Sequence, residues 1–327
     1  MADLKLDLRD RRILYELDVN ARQSLSQLGK KVGLSKEVVN YRINKLIELK
    51  VIRSFYARIE TSKLGLTLFR TFLRMQNLSP KKESEFIDYI NKNPKIGFFV
   101  RVEGNYDFNF IYWSEYVTEF FYFWRNLKEK FGKYVEQSEL NILEYYANFP
   151  KAFLIGKKDM SIDFFECGLS KKVEIDKIDY ALLGILSDNA RKPLIEIARQ
   201  LEVSDKVVSY RIKRLEKLGI IHSYGVQLDL DKVGLLYYMT HFFLKDFSKE
   251  RLADLRNFCI GHQNVVFIGE YLSGPDFGIE VYVKTKEEYY KFLSEVRYKF
   301  SDMIRNFDTL QYAKEFKFVL FPWKVKE

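Results

Sequence analysis

Apolar residues in the first fifty positions recur at three- and four-residue intervals: Leu8, Ile13-Leu14 and Leu17, then Leu25, Leu28 and Val32, then Val38-Val39, Ile43, Leu46 and Leu49. That spacing predicts three short amphipathic helices within residues 7–50. The breaks between them are Asn20-Ala21-Arg22-Gln23-Ser24 and Gly33-Leu34-Ser35, where glycine suits a positive φ and Ser35 is placed to cap the third helix. A β-like stretch over residues 51–59 follows, then a turn at Lys63-Leu64-Gly65. From Leu66 onward the order becomes strand, helix, strand, strand, helix, strand. The strands are predicted at 66–75, 96–103, 107–113 and 138–148, with one helix starting after Ser79-Pro80 and another over about 115–134. This βαββαβ order predicts a ferredoxin-like, four-stranded antiparallel sheet with both helices on one face.

Sliding the sequence by 169 positions lays it on itself without a gap. Over the 60 positions from Asp7 to Leu66, 21 are identical, including Asn20-Ala21-Arg22 with Asn189-Ala190-Arg191 and Tyr41-Arg42-Ile43 with Tyr210-Arg211-Ile212. The same shift pairs Asp107-Phe108 with Asp276-Phe277, so the duplication runs through the second part of each half as well.

Two helices, a Gly-Leu-Ser turn, a third helix rich in basic and amide side chains and a β-rich wing form the order of a winged helix-turn-helix. The fold class expected is therefore α+β, with two copies of a winged helix-turn-helix plus a ferredoxin-like βαββαβ domain. The units expected are winged helices at 1–63 and 173–232, ferredoxin-like domains at 64–150 and 233–327, and a link over 151–172. On the third helix Val39, Ile43 and Leu46 must face the core, which leaves Lys36, Asn40, Tyr41, Asn44 and Lys45 on or beside the outward face. The equivalents in the second copy are Asp205, Ser209, Tyr210, Lys213 and Arg214, with Lys206 next to them. Amides can read base edges, Lys and Arg can meet guanine or phosphate, and Ser35 and Ser204 at the helix starts can serve a phosphate as well as cap. Arg42 and Arg211 lie beside the buried stripe, where pairing with a neighbouring carboxylate competes with DNA contact.

The charge distribution favours those same segments. The chain of 327 residues carries 54 Lys and Arg against 45 Asp and Glu, a net +9. Residues 1–63 hold 14 basic and 8 acidic side chains (+6) and residues 170–232 hold 12 and 10 (+2), so these two segments carry eight of the nine excess charges. Two cysteines and three histidines, with no CxxC spacing, leave little material for a metal site or a histidine-based catalytic centre, and no cofactor is expected. No apolar run approaches the ~18–20 residues needed to span a bilayer, and the start lacks a signal-peptide core, so a soluble cytoplasmic protein without membrane partners is expected. The aromatic clusters Phe120-Phe121-Tyr122-Phe123-Trp124 and Tyr289-Tyr290 with Phe292 are expected in the core and at an oligomer interface.

Taken together, Leu6-Asp7-Leu8-Arg9-Asp10-Arg11-Arg12-Ile13-Leu14, Asn20-Ala21-Arg22, Gly33-Leu34-Ser35, Tyr41-Arg42-Ile43 and Lys63-Leu64-Gly65, largely repeated in the second copy, resemble the Lrp/AsnC (feast/famine) transcription regulators. Gly104-Asn105-Tyr106-Asp107-Phe108 is similar to that family's Gly-x-Tyr-Asp loop. The resemblance implies a cytoplasmic, sequence-specific regulator of double-stranded DNA that self-associates through its ferredoxin-like domains and binds an amino acid or related metabolite. It further implies a covalent pseudo-dimer, with effector contacts at Gly104, Tyr106 and Asp107 and, in the second copy, at Gly274 and Asp276. The second loop, Leu272-Ser273-Gly274-Pro275-Asp276, shifts the glycine by one and lacks the tyrosine. Lys50 stands where the second copy has Gly219, which predicts that the two recognition helices end differently.

Two other readings compete. One is an architectural, nucleoid-associated protein that coats DNA. The other is an enzyme resembling the siroheme decarboxylases, which share the double architecture. The stretch that would correspond to their motif, Asn93 to Arg101, has no histidine, nor does Asn264-Val265-Val266-Phe267. General acid–base chemistry needs a positioned titratable group, so no enzymatic activity is expected.

Overall fold

Each copy builds its winged helix from three short helices, all but the middle one of the second copy capped by a side chain, and hands the chain directly to a sheet. In a computed structural model, which describes residues 6–156, 165–167 and 170–321, the first copy comprises helices α1 (Leu8–Val19), α2 (Leu25–Val32) and α3 (Lys36–Glu48) and strand β1 (Ile52–Ile59). It continues with β2 (Thr67–Met75), α4 (Pro80–Lys92), β3 (Ile96–Glu103), β4 (Phe108–Ser114), α5 (Val117–Phe131) and β5 (Val135–Asn148). After a short β6 (Phe165–Cys167) the second copy repeats the order as α6 (Lys177–Asp188), α7 (Leu194–Gln200), α8 (Asp205–Lys217), β7 (Ile221–Leu228), β8 (Leu236–Leu244) and α9 (Lys249–Gly261). It ends with β9 (Val265–Tyr271), β10 (Phe277–Val283), α10 (Lys286–Lys299) and β11 (Ile304–Phe318). No helix among the described residues is long and apolar enough to cross a membrane.

Local chemistry sets the helix ends. The Ser35 hydroxyl accepts the Val38 N–H at 3.3 Å, and Ser204 accepts the Val207 N–H at the same distance. The two recognition helices, α3 and α8, also end alike, contrary to the sequence expectation. Lys50 adopts φ 57° and Gly219 φ 64°. In both, the next turn is tied by equivalent backbone bonds, Val51 N–H to Leu46 O (2.9 Å) and Ile220 N–H to Leu215 O (3.0 Å). Those bonds hold Lys50 in the left-handed region despite a steric penalty of ~1–2 kcal/mol for a residue with a Cβ.

The two winged helices interlock. Strands β1 and β7 pair antiparallel in a two-stranded ribbon, centred on Tyr56 opposite Gly225, which are equivalent positions (56 + 169 = 225). The Asn-Ala-Arg segments, expected only to break helices, make the crossing. Arg22 donates to the Ala190 carbonyl (2.5 Å) and Arg191 to the Ala21 carbonyl (2.6 Å). Backbone bonds run Ala21 N–H to Tyr224 O and Ala190 N–H to Phe55 O, at 2.9 and 2.8 Å. One hydrophobic core, with Ile13, Leu17, Val39 and Ile43 from the first copy and Leu182, Leu186, Val208 and Ile212 from the second, serves both units.

On one side of this ribbon the symmetry is broken by a buried charge cluster. The Asp18 carboxylate accepts from Lys151 Nζ at 2.6 Å and from the Arg58 guanidinium at 3.0 Å, and all three residues are buried. The equivalents of Asp18 and Arg58 are Ser187 and Gln227. Burial pushes the Asp18 carboxyl up, but the Lys151 ammonium and Arg58 guanidinium outweigh it and hold the group below the usual carboxylate range. Gly225 makes room for this cluster, because a Cβ there would lie 2.7 Å from the Arg58 guanidinium.

The two ferredoxin-like sheets close into a single ring of eight antiparallel strands, β2-β4-β3-β11-β8-β10-β9-β5, sealed by the β2–β5 pairing. Strand length explains the closure. The first half of β5 pairs with β2 of its own copy (Phe69 with Ile142), and the second half runs on to pair with β9 of the other (Ala147 with Ile268). β11 does the same with β8 and then β3. Closure removes the sheet edges that each four-stranded unit would expose. Helices α4 and α5 cover the outer face of the first sheet on a core rich in phenylalanine, including Phe69, Phe86, Phe110 and Phe123, and α9 and α10 cover the second. Phe120 and Phe123 are buried as expected, whereas Phe121 and Tyr122 face solvent.

Two stability measurements follow from these features. Lys50→Gly is expected to raise the unfolding free energy by about 1 kcal/mol in urea denaturation, since glycine adopts a positive φ without the Cβ clash. Asp18→Asn keeps the shape but leaves two buried cations uncompensated, and should lower stability by about 3–5 kcal/mol in the same assay.

Candidate nucleic-acid interface and buried polar centre

The recognition helices present matching faces. On α3, Val39, Ile43 and Leu46 are buried, while Ser35, Lys36, Asn40, Tyr41, Asn44 and Lys45 are all exposed. On α8, Val208, Ile212 and Leu215 are buried, Ser204, Lys206, Tyr210 and Lys213 are exposed, and Ser209 and Arg214 are half-buried. Tyr41 and Tyr210, at equivalent positions, are 66% and 67% exposed, unusual for so large a ring on a helix packed against a core. α3 thus offers hydroxyl, amide and ammonium donors beside an aromatic ring, and α8 hydroxyl and ammonium donors beside one, sets suited to phosphates and base edges in a major groove.

Three arginines on these helices have protein partners. Arg42 Nη1 donates to Asp7 (2.8 Å) and Asp10 (2.7 Å), tying α3 to the capped start of α1. Arg211 does the same with Asp176 (2.8 Å) and Asp179 (2.8 Å) in the second copy. Arg214 adds a bond to the other oxygen of Asp179, at 2.6 Å. The aspartate-arginine spacing repeated in both halves therefore builds a clamp between the first and third helices.

The two strand-connecting loops lie at the end of the barrel away from the winged helices. Asp107 accepts the Met75 N–H (2.6 Å) and Asp276 accepts the Leu244 N–H (2.7 Å), equivalent bonds that stop β2 and β8. Tyr106 is buried, packs on Phe72 and donates its hydroxyl to Glu139 at 3.0 Å. Gly104 takes φ 133° and sits against the Thr309 carbonyl, and Gly274 takes φ 78° against the Asn141 side chain. Each loop thus packs on the last strand of the other copy.

Inside the barrel is a polar centre that the sequence reading missed. Arg70, 1% exposed, donates to Glu280 at 2.7 Å, to Tyr312, to Tyr271 at 3.4 Å and to Asn109 at 3.3 Å. Tyr237 donates to the second Glu280 oxygen. The positions equivalent to Arg70 and Glu280 are Met239 and Ile111, so the pair exists only across the two copies. The signal for it was a charged residue inside an otherwise apolar strand, Leu68-Phe69-Arg70-Thr71-Phe72. His241 lies beside this centre, edge-on to Phe72, with its Nε2 unpartnered among the described residues. Burial, reinforced by the nearby Arg70 charge, pushes its pKa down to about 3. No group of His, Cys, Asp or Glu among the described residues could hold a metal ion.

Comparison with known proteins returns to the winged helices. A model of winged helix-turn-helix DNA-binding domains matches residues 6–53 and 175–222, the same 169-residue offset. The proline dehydrogenase transcriptional activator of Rhodobacter capsulatus is 34% identical over 110 residues, 33% of this chain and 70% of that protein. The HTH-type transcriptional regulator LrpA of Pyrococcus horikoshii is 43% identical over 60 residues, 18% of this chain and 43% of that one. Among solved structures, a siroheme decarboxylase, NirDL, superposes over 96% of this chain and 94% of its own with a TM-score of 0.64. At 13% identity that likeness is one of fold.

The histidine yields a pH prediction. The unfolded residue titrates near pH 6.5 and the folded one near 3, so acid protonates the unfolded chain first. Stability from this group is complete above pH 6.5 and falls as the pH drops toward 3, by about 2 kcal/mol between pH 6.5 and 4.5. Asp7, Asp18 and Asp176, held low by their partners, withdraw theirs only below about pH 3.8. His241→Phe, which copies the equivalent Phe72, should flatten urea-measured stability between pH 6.5 and 4.5.

Proposed function

This chain belongs to the Lrp/AsnC family of winged helix-turn-helix transcriptional regulators, and we propose that it acts as a covalent pseudo-dimer that binds two non-identical DNA half-sites. One observation carries the reading: a ribbon and an arginine crossing lock two winged helices together, and each keeps the same face of its recognition helix exposed. In a symmetric dimer the operator mirrors the protein's two-fold axis. Here Lys36, Asn40 and Asn44 face Asp205, Ser209 and Lys213 at the equivalent positions, so the two halves read different chemistry.

The DNA-contacting set is Ser35, Lys36, Asn40, Tyr41, Asn44 and Lys45 with Ser204, Lys206, Ser209, Tyr210 and Lys213. Arg42, Arg211 and Arg214 act chiefly by holding the recognition helices in place. Amino-acid modulation at the Gly104–Asp107 and Gly274–Asp276 loops, and self-association through the ferredoxin-like units, complete the proposal in keeping with the family. The regulator reading stands over the enzyme reading because the relatives that share its sequence are named transcriptional regulators. The full-length fold likeness to a siroheme decarboxylase is the observation that favours the second reading. An iron tetrapyrrole that binds and shifts its visible spectrum would support that one.

Selecting bound sequences from a random DNA pool, then titrating selected and random duplexes at several salt concentrations, tests the proposal. A regulator prefers the selected site by about 10³-fold or more, and equal affinity for both would mean a coating protein instead. Lys36→Ala with Lys45→Ala should reduce the slope of log affinity against log salt by about 2.

A further inference from the structure

The barrel lumen is not filled at the end facing the winged helices. A cavity of about 650 Å³ lies there, roofed by Arg53, Tyr56 and Arg58 of β1 and Val226–Leu228 of β7, and lined below by strands of both sheets. None of the effector positions considered above, Gly104, Tyr106, Asp107, Gly274 and Asp276, lines the cavity, which comes nearest to them at Glu103, the last residue of β3. Its volume falls in the ~300–1,000 Å³ range of drug-sized ligand sites and exceeds what a single amino acid would fill.

The two copies contribute opposite chemistry. From the first sheet come Leu68, Ile111, Trp113 and Leu143, and at the equivalent positions of the second stand Tyr237, Glu280, Tyr282 and Tyr312. One wall is therefore apolar and the other hydroxylic, a division that an undiverged symmetric pair could not make.

Hydrogen-bond accounting sets the ligand's polarity. The inner carboxylates are already occupied: Glu280 accepts from Arg70 and Tyr237, and Glu315 accepts from Arg53 (2.8 Å) and Gln227 (2.7 Å). Donors are what remain. The Tyr282 hydroxyl has no hydrogen-bond partner among the described residues, and burial holds it protonated, hence a donor. Trp113, its equivalent on the opposite sheet, has a buried indole N–H without a partner among the described residues. Lys314, on β11, does not add to them: its ammonium lies over the Phe316 ring on the outer face of the sheet. The other carboxylates of the lining, Glu103, Asp229 and Asp231, are exposed or half-exposed at the rim.

We propose that this lumen binds an aromatic compound larger than an amino acid that carries acceptor oxygens, its ring system against the Leu68, Ile111 and Leu143 wall and its acceptor oxygens toward Tyr282 and Trp113. Flat rings at Tyr56, Phe98 and Phe318 suit an aromatic rather than an aliphatic guest. The inference does not depend on DNA binding.

Titration of the full chain with 8-anilino-1-naphthalenesulfonate, an aromatic sulfonate of suitable size, tests it without DNA. The expected result is saturable, blue-shifted fluorescence with one site per chain. Leu68→Trp, which fills the apolar wall, should weaken binding at least tenfold. Tyr282→Phe removes one donor with little change in shape and should weaken it about three- to tenfold, with near-UV circular dichroism unchanged. Phe121→Ser with Tyr122→Ser, on the exposed face of α5, should leave the isotherm unaltered. Absence of saturable binding, an isotherm indifferent to Tyr282→Phe, or loss of binding in the α5 variant would each overturn the assignment.

Discussion

Backbone hydrogen bonds that cross between the two copies are the constraint on which the rest of the structure depends. If each module folded alone, the first copy's β3 and the second copy's β9 would be open edges, the latter half of β11 would have nothing to pair with, and the latter half of β5 would keep only its short pairing with β6. Pairing those halves across the copies closes the ring and satisfies the edges together. At the other end of the molecule the same logic sets β1 on β7 and threads Arg22 and Arg191 onto each other's loop carbonyls. The recognition helices inherit their relative position from these two crossings, because both are packed on the core that the crossings create.

Within that symmetric frame, divergence is coordinated. Arg58 is accommodated because its neighbour across the axis is Gly225, and it is neutralised because Asp18 replaced what is Ser187 in the other copy. Arg70 meets Glu280 where the equivalents are Met239 and Ile111. Buried ion pairs are weak sources of stability, but an unpaired buried charge is costly. Two first copies placed in this frame would bury Arg70 against Ile111, whereas one first and one second copy satisfy both charges. The substitutions thus favour the pairing that occurs within one chain.

The outer surface diverged as well. Charge is concentrated on the first winged helix, and the second carries Asp205 where the first has Lys36, yet Tyr41 and Tyr210 keep the same exposed place. The two faces thus share a geometry and differ in electrostatics; on the proposed reading the first half would anchor through phosphates and the second would discriminate between bases.

Helix and strand positions, the caps at Ser35 and Ser204, the buried stripe of the recognition helix and the 169-residue duplication were legible from the sequence, because they depend on periodicity and on bonds between near neighbours. Lys50 shows where residue preference stops being a guide: its left-handed conformation opposes the preference of a residue with a Cβ and is held by the backbone bonds that close the helix end. The Asn-Ala-Arg crossing, the closure of two sheets into one barrel, the Arg42 and Arg211 clamps and the Arg70–Glu280 centre were likewise decided only in three dimensions. Each joins groups 30 to more than 200 positions apart, and no local pattern encodes which distant partner a buried charge or an unpaired strand half will meet.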